Sequence, residues 1–287
     1  MVDISTCPFL RFQNGFPQRR TNCFANCCVQ AVLSLKSSLI QFDESNAVDK
    51  FLQDLFKREA EKFQSSLDLT PLRKLLGFDD FRQHDVDEFF GKLLANCGSH
   101  LRKLFAVKST SKAHCSACNF DKQADSSIRE DFIIRLFAED KIMEWKSLAE
   151  LSGHRMRSCL NAQCSGVGKT VTEFDQYEIL EGTQFVCLSI PLMDGTRRMI
   201  ERSIKGFSPG KVTLKYENFK GKVCSFKGQL QSVICHYGDG MDRGHYIAYR
   251  PFESDWYLID DQAICYRKTS RLPQCMKDFY VLILQRN

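Results

Sequence analysis

Between Cys23 and Phe105 apolar residues recur at intervals of three and four. FANCCVQAVLSL (24–35), VDKFLQDLFKREAEKF (48–63), TPLRKLLGF (70–78) and DVDEFFGKLLANC (85–97) each place apolar side chains at i, i+3 and i+4, the spacing that lines one face of a helix. Asn22 precedes the first of these runs as an N-cap candidate, and Thr70-Pro71 reads as a cap followed by proline in the first turn. After residue 170 the period shortens. QFVCLSIPL, KVTLKY, QLQSVICHY, HYIAYR, DWYLID and DFYVLILQ are rich in β-branched and aromatic residues and are separated by Gly, Asp or Ser, so they read as strands. The intervening section, 106–170, has neither period throughout; its SSIREDFIIRLF looks extended. Helices first and strands afterwards predict an α+β fold with an antiparallel sheet.

Composition narrows the class. The chain has 287 residues, enough for a sizeable core, with 43% hydrophobic and 26% charged residues and no internal repeat or low-complexity tract. Basic and acidic residues number 40 and 35, a net charge of +5 without the dense basic runs of a nucleic-acid arm. No stretch approaches the roughly 18 apolar residues of a membrane span, and MVDISTCPFLRFQNGF does not read as a signal peptide. Fourteen cysteines are many. Without a signal, reduced thiols, metal ligation or catalysis are expected ahead of a disulfide framework, which places the chain in the cytoplasm or nucleus. Neither nucleic acid nor membrane is an expected partner, and a monomer is expected.

The chemistry centres on QRRTNCFANCCVQAVLSL (18–35), where Cys23, Cys27 and Cys28 fall within six positions. They could be buried small hydrophobes, metal ligands, half-cystines or one reactive thiol with two bystanders. A helix starting at Asn22 or Cys23 puts Cys23 at its N-terminus, where the dipole and unpaired N–H groups favour a thiolate. Cys27 and Cys28 suit core packing. In SVICHYGDGMDRGHYIAYR (232–250) a strand enters a Gly/Asp-rich turn and leaves through Gly244-His245-Tyr246. His245, at the start of the second strand, is a candidate general base, and Gly244 would let a substrate backbone approach closely. His236 reads as scaffold. In DWYLIDDQAI (255–264), Asp260 and Asp261 close a strand; they are either solvated turn carboxylates or the group that orients His245 across a hairpin.

These stretches resemble three boxes of the ubiquitin-specific proteases. QRRTNCFANCCVQAVL is similar to the family's Gly-Leu-x-Asn-x-Gly-Asn-Thr-Cys-Tyr-x-Asn-Ser-x-Leu-Gln, with Gly15, Phe16, Cys23, Phe24, Asn26, Val29 and Gln30 on matching or conservatively replaced positions. QHDVDEFFGKLL (83–94) resembles its Gln-Gln-Asp-x-x-Glu-Phe-Leu helix. Val233–Asp261 resembles its histidine box through His236, Gly238, Gly244-His245-Tyr246, Trp256 and the Asp-Asp pair. The resemblance implies a papain-like cysteine peptidase in one domain over 1–287, with a helical thumb (about 15–107), zinc-ribbon-type fingers (about 108–170) and an antiparallel β palm (about 171–287). It implies cleavage after the C-terminal Gly of ubiquitin, with Cys23 as nucleophile, His245 as base, Asp260 orienting His245 and Asp261 supporting the oxyanion region. Gln18 stands where the family carries its oxyanion-donating Asn. Asp85, Gln83, Gly244 and Tyr246 are the substrate-binding positions. Arg20-Thr21-Asn22 replaces the family's Gly-Asn-Thr, a departure that bears on loop geometry and turnover. The alternatives are a protease for another ubiquitin-like modifier and a weakly active ubiquitin-binding scaffold.

Cys115-x2-Cys118 and Cys159-x4-Cys164 flank the extended 127–138 stretch. Four thiolates on two knuckles satisfy tetrahedral Zn²⁺, with His114 and His154 as substitute ligands, and the resemblance supports a structural zinc there. No cofactor is expected for catalysis. Cys187 and Cys235, inside apolar strands, are assigned to the core.

Overall fold

The computed structural model describes residues 9–12, 22–62, 65–80, 82–119, 121–136, 142–144, 153–157, 159, 163–164, 171–190, 203–205, 210–238, 244–253, 255–267 and 279–287. Gly15, Phe16 and Gln18 to Thr21 lie outside them.

The helical half contains α1 (Cys23–Leu33), α2 (Ala47–Ala60), α3 (Thr70–Leu75), α4 (Val86–Asn96) and α5 (Ser99–Phe105). All 11 residues of α1 are buried, and CFANCCVQAVL carries no charge. A helix without a charged face has no side to give to water, so it becomes the central helix. The outer helix α2 is amphipathic and turns Val48, Leu52 and Leu55 inward. Asn46 caps it, accepting from the Val48 and Asp49 backbone N–H groups at 2.9 and 3.0 Å. Two expected caps differ. Thr70 lies inside α3, and its N–H and hydroxyl donate to Asp68 Oδ1 at 2.9 and 2.7 Å, so the acidic side chain does the capping. Asn22 occupies the cap position of α1 but makes no capping bond.

The strands are β1 (Val107–Cys115), β2 (Asp121–Asp131), β3 (Ile133–Arg135), β4 (Ile142–Glu144), β5 (Gly153–Arg157), β6 (Val171–Ile179), β7 (Phe185–Ser189), β8 (Ser203–Lys205), β9 (Lys211–Glu217), β10 (Val223–Tyr237), β11 (His245–Phe252), β12 (Asp255–Asp260), β13 (Ala263–Arg267) and β14 (Phe279–Arg286). An eight-stranded sheet runs β13-β12-β11-β10-β14-β7-β3, with β9 also paired to β10. A four-stranded ribbon sheet runs β2-β1-β6-β5, so it continues to Ile179, past the boundary expected at 170. The large sheet departs from the expected antiparallel pattern at one edge, where β3 pairs with β7 in parallel; β4 and β8 also pair in parallel.

Both faces of the large sheet are covered, which explains why its central strands read as unbroken apolar runs. In β14, Val281 and Ile283 join the core beneath the helices, while Leu282 and Leu284 join a second core with Val212, Leu214 and Phe226. The same alternation sends Tyr246 and Ala248 of β11 toward the helices and Ile247 and Tyr249 away.

One buried polar junction ties the halves together. Arg250 of β11 is 3% exposed; its Nη1 donates to Gln30 Oε1 of α1 at 2.5 Å and to Glu59 Oε2 of α2 at 3.1 Å. Its Nη2 donates to Glu59 Oε1 at 2.8 Å, and the guanidinium lies 4.4 Å from the Phe9 ring centroid. Gln30 Nε2 donates to the Leu10 carbonyl at 2.6 Å, which draws the N-terminal segment in. Removing one member leaves the other charge buried and unpaired. Arg250→Met is therefore expected to lower the free energy of urea unfolding by about 3 kcal/mol, whereas a loss near zero would show that the junction does not hold the halves.

Candidate active site

The sequence places a cysteine at the first turn of a helix, a histidine at the start of a strand and two aspartates at the end of another; the fold brings the three together. Cys23 is the first residue of α1, fully buried, and Cys27 follows one turn later. Burial pushes the thiols of Cys27 and Cys28 well up, so both stay neutral, and Cys28 donates to the Val86 carbonyl at 3.4 Å. They are packing residues, as the helical spacing suggested.

His245 opens β11, and the β11–β12 hairpin pairs Ala248 with Ile259, which carries Asp260 back toward the histidine. His245 Nε2 and Asp260 Oδ1 are 2.6 Å apart. The Cys23 thiol is the imidazole's other hydrogen-bonding neighbour. Nδ1 is buried without a hydrogen bond of regular geometry, so the sulfur contact is long or off-axis, as such contacts often are before a substrate binds. The Asp260 carboxylate first, then the Cys23 sulfur, push the His245 pKa from 6.5 up to about 10 against the opposing effect of burial. At neutral pH the ring is an imidazolium, and a positive charge next to a sulfur favours a thiolate–imidazolium pair.

Asp261 takes a different part. It is 3% exposed, has a left-handed backbone (φ 51°), and accepts a hydrogen bond from Asn26 Nδ2 of α1. Asp260 tunes the imidazole, and Asp261 ties the helix to the hairpin one turn from Cys23.

Gly244 has a structural reason that the sequence did not show. A Cβ there would lie 1.8 Å from His236 Nε2, so the absent side chain makes room for this buried ring rather than standing open for a substrate. His236 is 1% exposed, neither ring nitrogen has a hydrogen-bond partner among the described residues, and burial, then the His245 charge, lower its pKa to about 4. Tyr246 is fully buried, its ring centroid 4.5 Å from that of His236, so its ring offers no face to an incoming chain. Asp85 caps α4, accepting from Asp87 N–H at 2.7 Å, while the Tyr280 hydroxyl donates to its other oxygen at 2.5 Å. Burial raises the Asp85 pKa to about 6, with the Tyr280 bond pulling the other way. Gln83 is half-buried just before α4. Gln18, the expected oxyanion donor, lies outside the described residues.

The second cluster sits at the tip of the ribbon sheet. Cys115 ends β1, Cys118 lies in the turn to β2, and Cys159 and Cys164 lie between β5 and β6. One sulfur from each comes within 4.8 Å of the others, with Cys115–Cys164 at 3.7 Å and Cys118–Cys159 at 3.9 Å. Ligands about 2.3 Å from a tetrahedral zinc stand about 3.8 Å apart, so these sulfurs can hold a metal ion without rearrangement. His114 does not belong to the cluster, and the side chain of His154 lies outside the described residues. The wide second knuckle closes because β6 pairs with both β1 and β5.

The helix-borne thiol facing a strand-borne imidazole and its carboxylate is the arrangement of a papain-like cysteine peptidase. The family model described as "Ubiquitin carboxyl-terminal hydrolase" matches residues 14–283, and the chain belongs to that family, the ubiquitin-specific proteases, which are cysteine-type deubiquitinases. "Probable ubiquitin carboxyl-terminal hydrolase 8" of Schizosaccharomyces pombe is 48% identical over 44 residues, 15% of this chain and 10% of that relative. Among solved structures, the SAGA Ubp8/Sgf11/Sus1/Sgf73 DUB module bound to ubiquitin aldehyde superposes with a TM-score of 0.63 at 15% identity, over 98% of this chain and 70% of that one. The same module bound to monoubiquitin gives 0.61 at 15% identity, over 99% and 70%. These likenesses carry the fold, one of mixed helices and sheets.

Sequence reading assigned no role to Arg250, Glu59, Tyr280 or Arg73, each buried or half-buried beside the site. The one local signal was charge inside otherwise apolar stretches, such as Arg73 in TPLRKLL. Asp260→Asn removes the largest cause of the raised His245 pKa. The imidazole's midpoint, followed by NMR, should then fall from about 10 toward 6.5. Because the folded-state value is raised, the stability that His245 contributes is fully present below pH 6.5 and is lost as pH rises through about 10. The melting-temperature gap between wild type and Asp260→Asn should shrink over that window. A gap independent of pH would show that the carboxylate does not hold the imidazolium.

Proposed function

We propose that this chain is an active thiol-dependent deubiquitinase that cleaves peptide and isopeptide bonds after the C-terminal Gly of ubiquitin. The observation that carries it is the convergence of Cys23, His245 and Asp260 from three distant segments, with the His245 pKa pushed up to about 10 by the other two. The family, and the ubiquitin or ubiquitin aldehyde bound in the similar modules, support ubiquitin as the partner.

In this reading the Cys23 thiolate attacks the carbonyl carbon of the terminal glycine, and the electron pair moves to the carbonyl oxygen. That oxygen is met by the first-turn N–H groups of α1 and the Gln18 amide, donors of a kind whose individual loss costs about 10²–10³ in turnover. The His245 imidazolium then gives its proton to the leaving lysine amine as the C–N bond breaks, leaving a thioester. Neutral His245 next takes a proton from water, whose hydroxide displaces the Cys23 sulfur and frees the ubiquitin carboxylate. Asp260 holds the ring, and Asp261 keeps α1 against the hairpin. The segment before α4, with Gln83 and Asp85, is assigned to the substrate's C-terminal tail, together with the backbone at Gly244 and Tyr246.

The helical half corresponds to a thumb, the ribbon sheet to fingers and the large sheet to a palm. The four cysteines of the ribbon are assigned a structural Zn²⁺, supported by sulfur separations of 3.7 and 3.9 Å. The chain is assigned to the cytoplasm or nucleus and read as a monomer, with no nucleic acid or membrane as partner. A protease for another ubiquitin-like modifier would share the same three residues, and a scaffold would lack reactivity at Cys23.

Cys23→Ala should abolish hydrolysis of a ubiquitin–fluorophore conjugate and keep the wild-type melting temperature; undiminished turnover would sink the assignment. Ubiquitin with a C-terminal electrophile should label wild type at Cys23, whereas labelling only by another modifier's probe would move the substrate class. Elemental analysis should find about one zinc per chain, lost in Cys159→Ser but retained in Cys265→Ser, at an exposed position away from the cluster. Retention in both variants would remove zinc from the ribbon.

A further inference from the structure

Arg73 of α3 is 5% exposed, yet among the described residues its hydrogen bonds go to neutral oxygens. Its Nη1 donates to Asn22 Oδ1 and its Nη2 to the Asp80 backbone carbonyl at 2.6 Å, while Nε is buried without a partner among those residues. Among the described residues, Asp80, Asp68 and Asp79 act on it only through space, and its guanidinium lies 5.2 Å from the Phe24 ring centroid. Burial of a cation on these terms is unfavourable, so its placement calls for a reason.

That reason lies at the residue it grips. Asn22 immediately precedes Cys23 and occupies the cap position of α1, but its amide oxygen serves Arg73 and makes no capping bond. Asn46 on α2 and Asp85 on α4 do cap their helices, whereas α3 and α5 follow Leu69 and Gly98, whose side chains cannot; α1 alone carries a capping residue type that is spent elsewhere. At α1 the cap is withheld. The first-turn N–H groups therefore keep their positive end for an anion at Cys23. The guanidinium itself interacts with Cys23 through space. Among the described residues, the other titratable groups that interact with this thiol are His245 and Tyr246 of β11 and Cys27 and Cys28 of α1; Asp260 and Asp261 act on the neighbouring His245 and Cys27.

We infer that Arg73 is a positioning residue for the nucleophile: it diverts Asn22 from capping α1 and sets a buried positive charge behind Cys23, so that the thiolate and the oxyanion that follows it meet an uncapped helix start. This rests on the reading of Cys23 as nucleophile. Arg73 touches no reacting atom, and its effect passes through Asn22 and its field.

The test is the rate of Cys23 alkylation by iodoacetamide at pH 7, read on the Cys23 peptide by mass spectrometry beside the melting temperature. Arg73→Gln, which is neutral, should slow alkylation about tenfold, as expected for losing one nearby charge at low dielectric. It should lower kcat with little change in KM for a ubiquitin–fluorophore substrate. Arg73→Lys, which keeps the charge, should recover most of the alkylation rate. If Arg73→Gln does not fold, Asn22→Ser is read instead; it keeps the cation, but its short hydroxyl caps the first turn of α1 in place of reaching Arg73, and it should slow alkylation about threefold. Either folded variant reacting at the wild-type rate, even with a lower melting temperature, would make the contact purely structural and overturn the inference. A wild-type Cys23 that does not react at all would instead overturn the nucleophile reading, and this one with it.

Discussion

The chemistry of this protein depends on holding the first residue of a buried helix against the first residue of a strand from the far end of the chain. No disulfide does this among the described cysteines. Two polar ties along α1 do. Near the site, Asn26 donates to Asp261 just beyond β12. One turn further, Gln30 receives Arg250 of β11, whose guanidinium also grips Glu59 of α2. Cys23, Asn26 and Gln30 fall at intervals of three and four, so they share the α1 face turned toward the hairpin. Apolar packing of Tyr246 and Ala248 under the helices supplies the bulk of the contact. Packing alone tolerates sliding, whereas buried directional bonds specify one register. A site that needs sub-ångström placement sits on rigid elements for that reason.

Environment then separates chemically identical groups into different tasks. His236 and His245 lie on neighbouring strands, yet one is lowered to about 4 by burial and the other raised to about 10 by a carboxylate and a thiol. Adjacent Asp260 and Asp261 point different ways because the left-handed backbone at Asp261 turns the chain. Asp260 keeps a half-exposed carboxylate on the imidazole, and Asp261 is buried on Asn26. Cys27 and Cys28 share a helix with Cys23, but only Cys23 meets an imidazole. The two carboxylates and the two rings thereby divide charge stabilisation from positioning.

Much of this was legible from local pattern. The four periodic runs became α1 to α4, and the β-branched runs became β7, β9 to β12 and β14, because burial on one or two faces writes its period directly into the side chains. The short α5 had no run long enough to show its face. The parallel β3–β7 pairing was invisible for a different reason: pairing direction depends on how the intervening chain crosses the molecule. Cap positions are less legible: Asn22 does precede α1 as expected but makes no side-chain bond to it, and Thr70 falls inside α3. Thr70 and Asn22 are good capping types, but Asp68 and Arg73 compete for the same bonds through tertiary contacts. Tyr246 and Gly244 looked like substrate-facing positions beside a histidine. Their side-chain space belongs to His236, which no spacing rule predicts.

By itself the sequence determined the α+β class, a candidate nucleophile in the cysteine at a helix start, its histidine and aspartate candidates, and the four cysteines of the ribbon. Each of these is carried by residue type at short range. The tertiary structure decided which of two histidines is charged, which of two aspartates holds it, and that Gly244 exists to admit a ring. It also decided that an arginine from a separate helix meets Asn22, the residue before Cys23. Those outcomes depend on burial, orientation and through-space fields between segments far apart in the chain, and such quantities have no value until the chain is folded.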